Sequence, residues 1–290
     1  YLRNDNNQRE ASKPFFMVIS MNPPHHPYSS LDDCMEEDYD FYKDKSLSQL
    51  LVRKNVDTTM TKAASAPYYF AQIKGVDREF GRVLSALQEL NLDENTIVVF
   101  SSDHGETMCS HSIDDPKNSV YTESTNVPFL IRYPDVLKPR ISDLLISTPD
   151  IMPTLLSLSN LKEETPQDIH GRDFSKFFIK KRGFGKPKAA LYIRNLDGNK
   201  DKEGIVLDYF PTARGVKTKN YTLELTINRR NELAKVQLFN DKKDPYQLRN
   251  LSAEKNKRVY RKMLKELAIL LKDAEDPWYE QKILGDIVPY

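Results

Sequence analysis

An aspartate and a histidine stand side by side where a short apolar segment ends. Residues 96–100 read TIVVF and residues 101–106 read SSDHGE, which places Asp103 beside His104. In open α/β sheets, ligands bind beyond the carboxyl ends of the strands, so this position favours a metal or catalytic site. The carboxylate suits a hard cation such as Ca²⁺, whereas the imidazole is a less usual ligand for it. The alternative is a polar strand end at which Asp103 caps the next segment.

A second imidazole follows another apolar segment. Residues 15–20 read FFMVIS and residues 23–28 read PPHHPY, so His25 comes shortly after a predicted strand. The prolines restrict the backbone around His25. Imidazole is the side chain that ordinarily changes charge near neutral pH, so a rigidly held His25 suits a general acid. A surface His-Pro turn explains the same pattern equally well.

The polar loop after the SSDHGE motif contains His111 and Lys117. It joins the end of one predicted strand to the next, residues 127–133, and this position would let the Lys117 ammonium face a bound oxyanion. A lone lysine in a polar loop is more often solvated, and His111 rests on the same positional argument.

The elements that must position these residues follow from hydrophobic periodicity. Residues 66–90 carry apolar side chains at three- and four-residue spacing, which predicts an amphipathic helix, and a further helix is predicted at 148–159. Apolar runs predict buried strands at 15–20, 96–100 and 127–133. A helix that feeds a strand is the unit of a doubly wound sheet. Residues 1–185 are therefore predicted to form a mixed, largely parallel sheet flanked by helices.

After about residue 185 the pattern changes to short strands separated by turn-prone residues. It predicts strands at 189–194, 204–209, 221–226 and 235–239, and a helix at 253–273. Residues 186–290 are therefore predicted to be a smaller C-terminal domain, an antiparallel sheet plus a helix, in a protein of the α/β class.

Composition excludes several functions. The chain has 290 residues and a formal net charge of +1, which gives no field for binding polyanions, so no nucleic-acid partner is expected. No apolar run reaches membrane-spanning length, so no membrane span is expected. Two cysteines, Cys34 and Cys109, cannot build a disulfide framework, and no neighbouring base would activate either as a nucleophile.

Taken in order, these segments resemble the sulfatase family of the alkaline-phosphatase superfamily. The matching segments are PPHHPY, SSDHGE, KNSVYTES at residues 117–124, VPFLIRYP at residues 127–134, and residues 148–156, 170–174 and 238–251. The resemblance implies hydrolysis of sulfate esters on sulfated carbohydrate or glycosaminoglycan. It also implies one Ca²⁺ ion, a formylglycine made from Cys or Ser, and a periplasmic, secreted or lysosome-like location.

The resemblance assigns roles residue by residue. Asp103 and His104 match two of the metal ligands. His25 matches the histidine that hydrogen-bonds the sulfate and helps the ester oxygen depart, and Lys117 matches the lysine that contacts the sulfate near that oxygen. His111 is a candidate substrate contact, since its spacing from Lys117 is a residue longer than in many relatives.

The chain also departs from the family. The nucleophile motif, Cys or Ser followed by x-Pro-x-Arg, is absent, and so are the paired N-terminal aspartate ligands of the metal. In relatives both precede the PPH segment. We therefore expect them upstream, in an N-terminal part of the same enzyme that acts as a partner, and we expect this chain alone to be inactive. Two alternatives stay open, a phosphate or phosphonate monoester hydrolase of the same superfamily and a catalytically dead module that binds sulfated ligands.

Overall fold

The computed structural model describes residues 1–115, 117–180, 186–195 and 212–290. The chain divides into two compact units, the first made of Tyr1–Pro116 and Val127–Lys138, the second of Lys117–Asn126 and Pro139–Tyr290. The predicted domain boundary at residue 185 adjoins residues outside the described part, and it stays a prediction. The strand predicted at 204–209 also lies outside the described residues.

The first unit contains helices and a two-stranded sheet. Its helices are α1 (Glu36–Asp40), α2 (Leu47–Leu50) and α3 (Ala66–Glu89), with short 3-10 turns at Leu31–Asp33 and Thr61–Ser65, and its strands are β1 (Val98–Ser101) and β2 (Phe129–Arg132). The strands pair antiparallel, with Val98 opposite Arg132 and Ser101 opposite Phe129. The predicted helix at 66–90 and the predicted strands at 96–100 and 127–133 are confirmed, with boundaries that differ by at most two residues.

Residues 15–20 do not form the buried strand that their apolar run predicts. Phe16 is 83% exposed and Val18 is 74% exposed, and no backbone hydrogen bond joins this segment to the rest of the described chain. An apolar run indicates burial, but a strand also requires a neighbour that pairs its amide and carbonyl groups. The described residues provide no such neighbour, so this strand prediction is wrong.

The carboxylate of Asp38 joins α1 to α3. Asp38 is fully buried, Lys74 Nζ donates to its Oδ1 at 2.8 Å, and Arg78 Nη1 donates to its Oδ2 at 2.6 Å. Burial raises the pKa of Asp38, but the hydrogen bonds and charges of Lys74 and Arg78 outweigh it and hold that pKa below its ordinary value. The ionised form of Asp38 therefore stabilises the contact between the two helices.

Replacing Asp38 with Asn should lower the free energy of unfolding by about 1–3 kcal/mol near neutral pH, because two basic side chains lose a buried charged partner. A group whose folded-state pKa is depressed contributes stability above its unfolded pKa of about 4 and loses it as the pH falls through the folded value. The difference between wild type and Asp38→Asn should therefore shrink in acid.

Urea unfolding of the protein, followed as a function of pH, measures this difference. The matched control is Asp40→Asn in the same helix, since Asp40 is exposed and pairs only with the exposed Lys43 among the described residues. This control should stay within about 0.5 kcal/mol of wild type. An Asp38→Asn difference that is constant across the acid range would contradict the assignment.

The second unit contains a four-stranded sheet and a long helix. Its helices are α4 (Thr122–Thr125), α5 (Thr148–Leu158), α6 (Ser175–Lys180), α7 (Lys257–Asp273) and α8 (Pro277–Glu280), and its strands are β3 (Ala189–Arg194), β4 (Ala213–Thr218), β5 (Thr222–Ile227) and β6 (Leu233–Phe239). The strands pair antiparallel in chain order. This confirms the α/β class with a C-terminal antiparallel sheet plus a helix. Where the sequence predicts a largely parallel sheet, both sheets of the described residues are antiparallel.

No helix in the described ranges is long and apolar enough to cross a membrane.

All six residues of β5 are buried, so both faces of the sheet are covered at this strand. Its apolar side chains, Leu223, Leu225 and Ile227, join the core that α7 contributes to. Because side chains alternate along a strand, the others point to the opposite face, and these are Thr222, Glu224 and Thr226. We call this opposite side of the sheet the polar face.

Candidate functional site

Asp103 and His104 lie directly after β1. Asp103 Oδ2 and His104 Nε2 are 3.5 Å apart, and the backbone N–H of His104 donates to Asp103 Oδ1 at 2.9 Å. His104 Nδ1 lies 2.8 Å from the carbonyl oxygen of Gly105. A carbonyl only accepts, so Nδ1 carries the proton in this contact and the neutral ring keeps a lone pair on Nε2. A carboxylate oxygen and an imidazole nitrogen are thus close enough to bind one cation together.

The pair fits part of a cation site. Burial raises the pKa of Asp103, but nearby contacts outweigh it, above all the hydrogen bond from the His104 backbone N–H. They hold the pKa below its ordinary value, so the carboxylate is ionised at neutral pH. Histidines that ligate metals commonly donate the other ring N–H to a carbonyl, as His104 does to Gly105. Within the described ranges no three His, Cys, Asp or Glu side chains gather to hold a metal. Since Ca²⁺ takes about six to eight ligands, this pair is only part of a ligand set.

His25 lies in an exposed loop. Its Nδ1 donates to the carbonyl oxygen of His26 at 2.8 Å, and its backbone N–H donates to the carbonyl oxygen of Asn22 at 2.9 Å. The ring centroids of His25 and His26 lie 4.2 Å apart. The role of His25 as a general acid stays a prediction.

Three side chains join the two loops that carry these candidates, residues 22–28 and 101–108. Tyr28 OH donates to Glu106 Oε2 at 3.1 Å, and Lys62 Nζ donates to Glu106 Oε1 at 3.2 Å. The side chains of Lys62 and Glu106 are only 19% and 15% exposed, and Tyr28 is 6% exposed. We call Tyr28, Lys62 and Glu106 the loop clamp.

Charge and hydrogen bonding stabilise the loop clamp near neutral pH. Burial raises the pKa of Tyr28, so the phenol keeps the proton that it donates. Burial also disfavours the charge on Lys62, but Tyr28 and Glu106 outweigh it and raise the pKa of Lys62. The backbone N–H of Met108 donates at 3.0 Å to Glu106 Oε1, the oxygen that also accepts from Lys62. The sequence interpretation missed this cluster, because Glu106 lies 78 residues from Tyr28 and 44 from Lys62, and Lys62 is outside every motif.

His111 contacts the buried Asn55. Asn55 Nδ2 donates to His111 Nε2 at 2.9 Å, and the backbone N–H of His111 donates to the Asn55 carbonyl oxygen at 2.7 Å. An amide nitrogen only donates, so Nε2 of His111 accepts in this contact. The assignment of His111 to substrate binding stays a prediction.

Lys117 is half-buried and opens the segment Lys117–Asn126, which belongs to the second unit. The other four candidates, His25, Asp103, His104 and His111, belong to the first unit. The carbonyl oxygen of the next residue, Asn118, accepts a hydrogen bond from Arg194 Nη1 at 2.7 Å. That Lys117 meets the other candidates around a single oxyanion stays a prediction.

Neither cysteine has the lowered pKa that favours a nucleophilic thiol. Burial raises the pKa of Cys109 and that of Cys34, and the charges of Asp33 and Asp38 raise the pKa of Cys34 further. A thiol with a raised pKa carries little thiolate at neutral pH, so it attacks slowly. This agrees with the absence of the nucleophile motif from the chain.

Residues 2–161 match the family described as Sulfatase, and residues 111–273 match the family described as N-sulphoglucosamine sulphohydrolase, C-terminal. The first match covers more than half of the chain. The chain therefore belongs to the sulfatase family.

Individual relatives agree with this membership. The chain is 54% identical to an endo-4-O-sulfatase of Bacteroides thetaiotaomicron over all of its length and 58% of that protein. It matches a solved Bacteroides thetaiotaomicron structure, described in connection with the metabolism of multiple glycosaminoglycans, with a TM-score of 0.96 and 53% identity, over 100% of this chain and 60% of that one. A structure in complex with its substrate D-glucosamine-2-N,6-O-disulfate matches with a TM-score of 0.60 and 25% identity, over 74% of this chain and 42% of that one. The chain thus spans less than two thirds of the length of these relatives.

Replacing Lys62 with Met should lower the free energy of unfolding by about 3–5 kcal/mol, because the carboxylate of Glu106 loses its cation while it stays buried. The effect should be local, so amide hydrogen exchange should accelerate more in residues 22–28 and 101–108 than in α3. The control is Lys54→Met, at an exposed lysine of the same unit, which should change stability by less than about 0.5 kcal/mol. A Lys62→Met variant as stable as wild type, or with exchange raised evenly across the first unit, would show that the clamp does not hold the loops.

Proposed function

We propose that the enzyme containing this chain hydrolyses sulfate esters of glycosaminoglycans at 4-O-sulfate groups. The observation that carries the proposal is the 54% identity of the entire chain to an endo-4-O-sulfatase. The placement of Asp103 and His104 after β1 supports it, since a cation there would face the negative charge of a sulfate. A location outside the cytoplasm, periplasmic, secreted or lysosome-like, goes with this substrate because glycosaminoglycans are external polymers.

Asp103 and His104 are proposed to hold a Ca²⁺ ion together with ligands from the N-terminal part of the same enzyme. When bound, this ion supplies Lewis-acid polarisation of the sulfate oxygens. The covalent nucleophile, a formylglycine, is likewise proposed to come from that part of the enzyme. The contribution of this chain is therefore half of a shared site.

Lys117 and His25 act at the ester oxygen. As the S–O bond breaks, negative charge grows on this oxygen, and the Lys117 ammonium stabilises it. The His25 imidazole delivers a proton to the same oxygen, so that it leaves as a neutral alcohol. His111 contacts the substrate. The loop clamp holds the loop of His25 against the loop that carries Asp103 and His104.

The proposal is tested by the release of sulfate from glycosaminoglycan oligosaccharides that carry a single sulfate at a known position. The complete purified enzyme should release sulfate from 4-O-sulfated oligosaccharides and much more slowly from 6-O- or 2-O-sulfated ones. Preferential turnover of a phosphate or phosphonate monoester would favour the other hydrolase chemistry. Binding of the sulfated oligosaccharide without any turnover would favour a binding module.

Lys117→Ala should depress kcat/KM on the sugar ester by about 100- to 1,000-fold, because a poor leaving group depends on charge stabilisation at its oxygen. An activated aryl sulfate, whose leaving group carries negative charge more easily, should lose much less. Steady-state rates on both substrates measure the difference, with Lys138→Ala at an exposed lysine as the control that should match wild type. Equal losses on both substrates would argue against a role at the leaving group.

A further inference from the structure

We propose that Arg194, the last residue of β3, is a positioning residue for Lys117. This inference rests on the proposed role of Lys117 at the ester oxygen. Arg194 Nη1 donates to the carbonyl oxygen of Asn118 at 2.7 Å, so the guanidinium holds the peptide next to Lys117. The C-terminal sheet thereby fixes the backbone from which the catalytic ammonium extends.

Arg194 is itself held in place by the polar face. Its side chain is only 14% exposed, Nη2 lies 3.6 Å from Glu224 Oε1, and Nη2 donates to Thr226 Oγ1 at 3.4 Å. Glu224 is 1% exposed, and its Oε1 accepts from Thr226 Oγ1 at 2.9 Å. A buried carboxylate without a cation is costly, so Glu224 holds the guanidinium of Arg194 close to it. In the planar guanidinium of Arg194, Nη2 therefore contacts the sheet and Nη1 donates to the carbonyl oxygen of Asn118.

A second anchor holds the same segment four residues further on. The backbone N–H of Thr122 donates to Gln247 Oε1 at 2.9 Å, and Gln247 is 2% exposed. Gln247 Nε2 in turn donates to Asp241 Oδ1 at 2.8 Å. Lys217 Nζ lies 3.1 Å from Asp241 Oδ2 and donates to Thr122 Oγ1 at 3.4 Å.

The aromatic ring between these anchors is also fixed. The ring of Tyr121 packs 5.6 Å from the ring of Phe239, and Gln237 Nε2 donates to the Tyr121 hydroxyl at 3.1 Å. Residues 118–122 therefore bind to the polar face at both ends and in the middle.

This attachment matters for catalysis because a lysine side chain is long and flexible. An ammonium stabilises a developing charge only when its backbone is held, and a displacement of about 1 Å can reduce the rate by roughly 100-fold. The hydrogen bond of Arg194 reaches the residue that directly follows Lys117 in the chain. Arg194 acts through Lys117 and needs no contact with the substrate.

The test uses the complete enzyme and two substrates, a sugar sulfate and an activated aryl sulfate. Arg194→Met should lower kcat on the sugar ester by roughly 10- to 100-fold, with a much smaller loss on the aryl ester and little change in KM. In the Lys117→Ala background the same substitution should add less than about twofold, because the group that it positions is already gone. Arg249→Met, at an exposed arginine of the same unit, is the control and should behave as wild type.

A second variant separates positioning from stability, because Arg194→Met leaves Glu224 charged and buried. Arg194→Met combined with Glu224→Gln removes both charges and should fold as well as wild type, yet it should keep the loss on the sugar ester. Recovery of wild-type rates in this double variant would overturn the proposal, since Arg194 would then serve only to neutralise Glu224.

Two further outcomes are distinguishable. If Lys117→Ala depresses the sugar-ester rate but Arg194→Met leaves it unchanged, the positioning role is overturned while the proposed function stands. If Lys117→Ala leaves both rates unchanged, the proposed role of Lys117 fails, and the positioning role fails with it.

Discussion

A single carboxylate constrains the candidate site. Glu106 is largely buried, and its two oxygens are satisfied by Lys62, Tyr28 and a backbone amide from three separate parts of the chain. A buried charge is stable only with such partners, so the fold must bring these segments together. Two of them carry candidate residues, and satisfying Glu106 therefore also fixes the loop of His25 relative to the loop that follows β1. Folding stability and site geometry depend on the same contacts.

In the second unit another buried carboxylate, that of Glu224, likewise requires a cationic partner. Glu224 is buried on the polar face of the C-terminal sheet, and its need for a cation places Arg194 where it reaches the segment that begins at Lys117. The opposite face of this sheet packs on α7 through apolar side chains. A sheet with one apolar and one polar buried face can thus act as a support for α7 and as a docking surface for residues 118–122.

The sequence predicts the elements whose signal is local. The helix at 66–90 and β3 follow from periodicity alone, and the adjacent pair after β1 could be singled out because its members are neighbours in the chain. Residues 15–20 do not form the predicted strand, because an apolar run carries no information about a partner strand. The sequence gives no local sign of β4, because its Arg214 looks exposed, whereas the structure buries it against Asp276 at 2.8 Å. The loop clamp is equally invisible, since ion pairs between distant residues leave no periodic pattern.

The most direct test of this account is a crystal structure of the complete enzyme with Ca²⁺ and sulfate, using data collected where calcium scatters anomalously. A calcium peak is expected in contact with the Asp103 carboxylate and His104 Nε2. The Lys117 ammonium and the His25 ring are expected within hydrogen-bond distance of the sulfate. A calcium peak at other residues, or Lys117 and His25 directed away from the anion, would contradict the account.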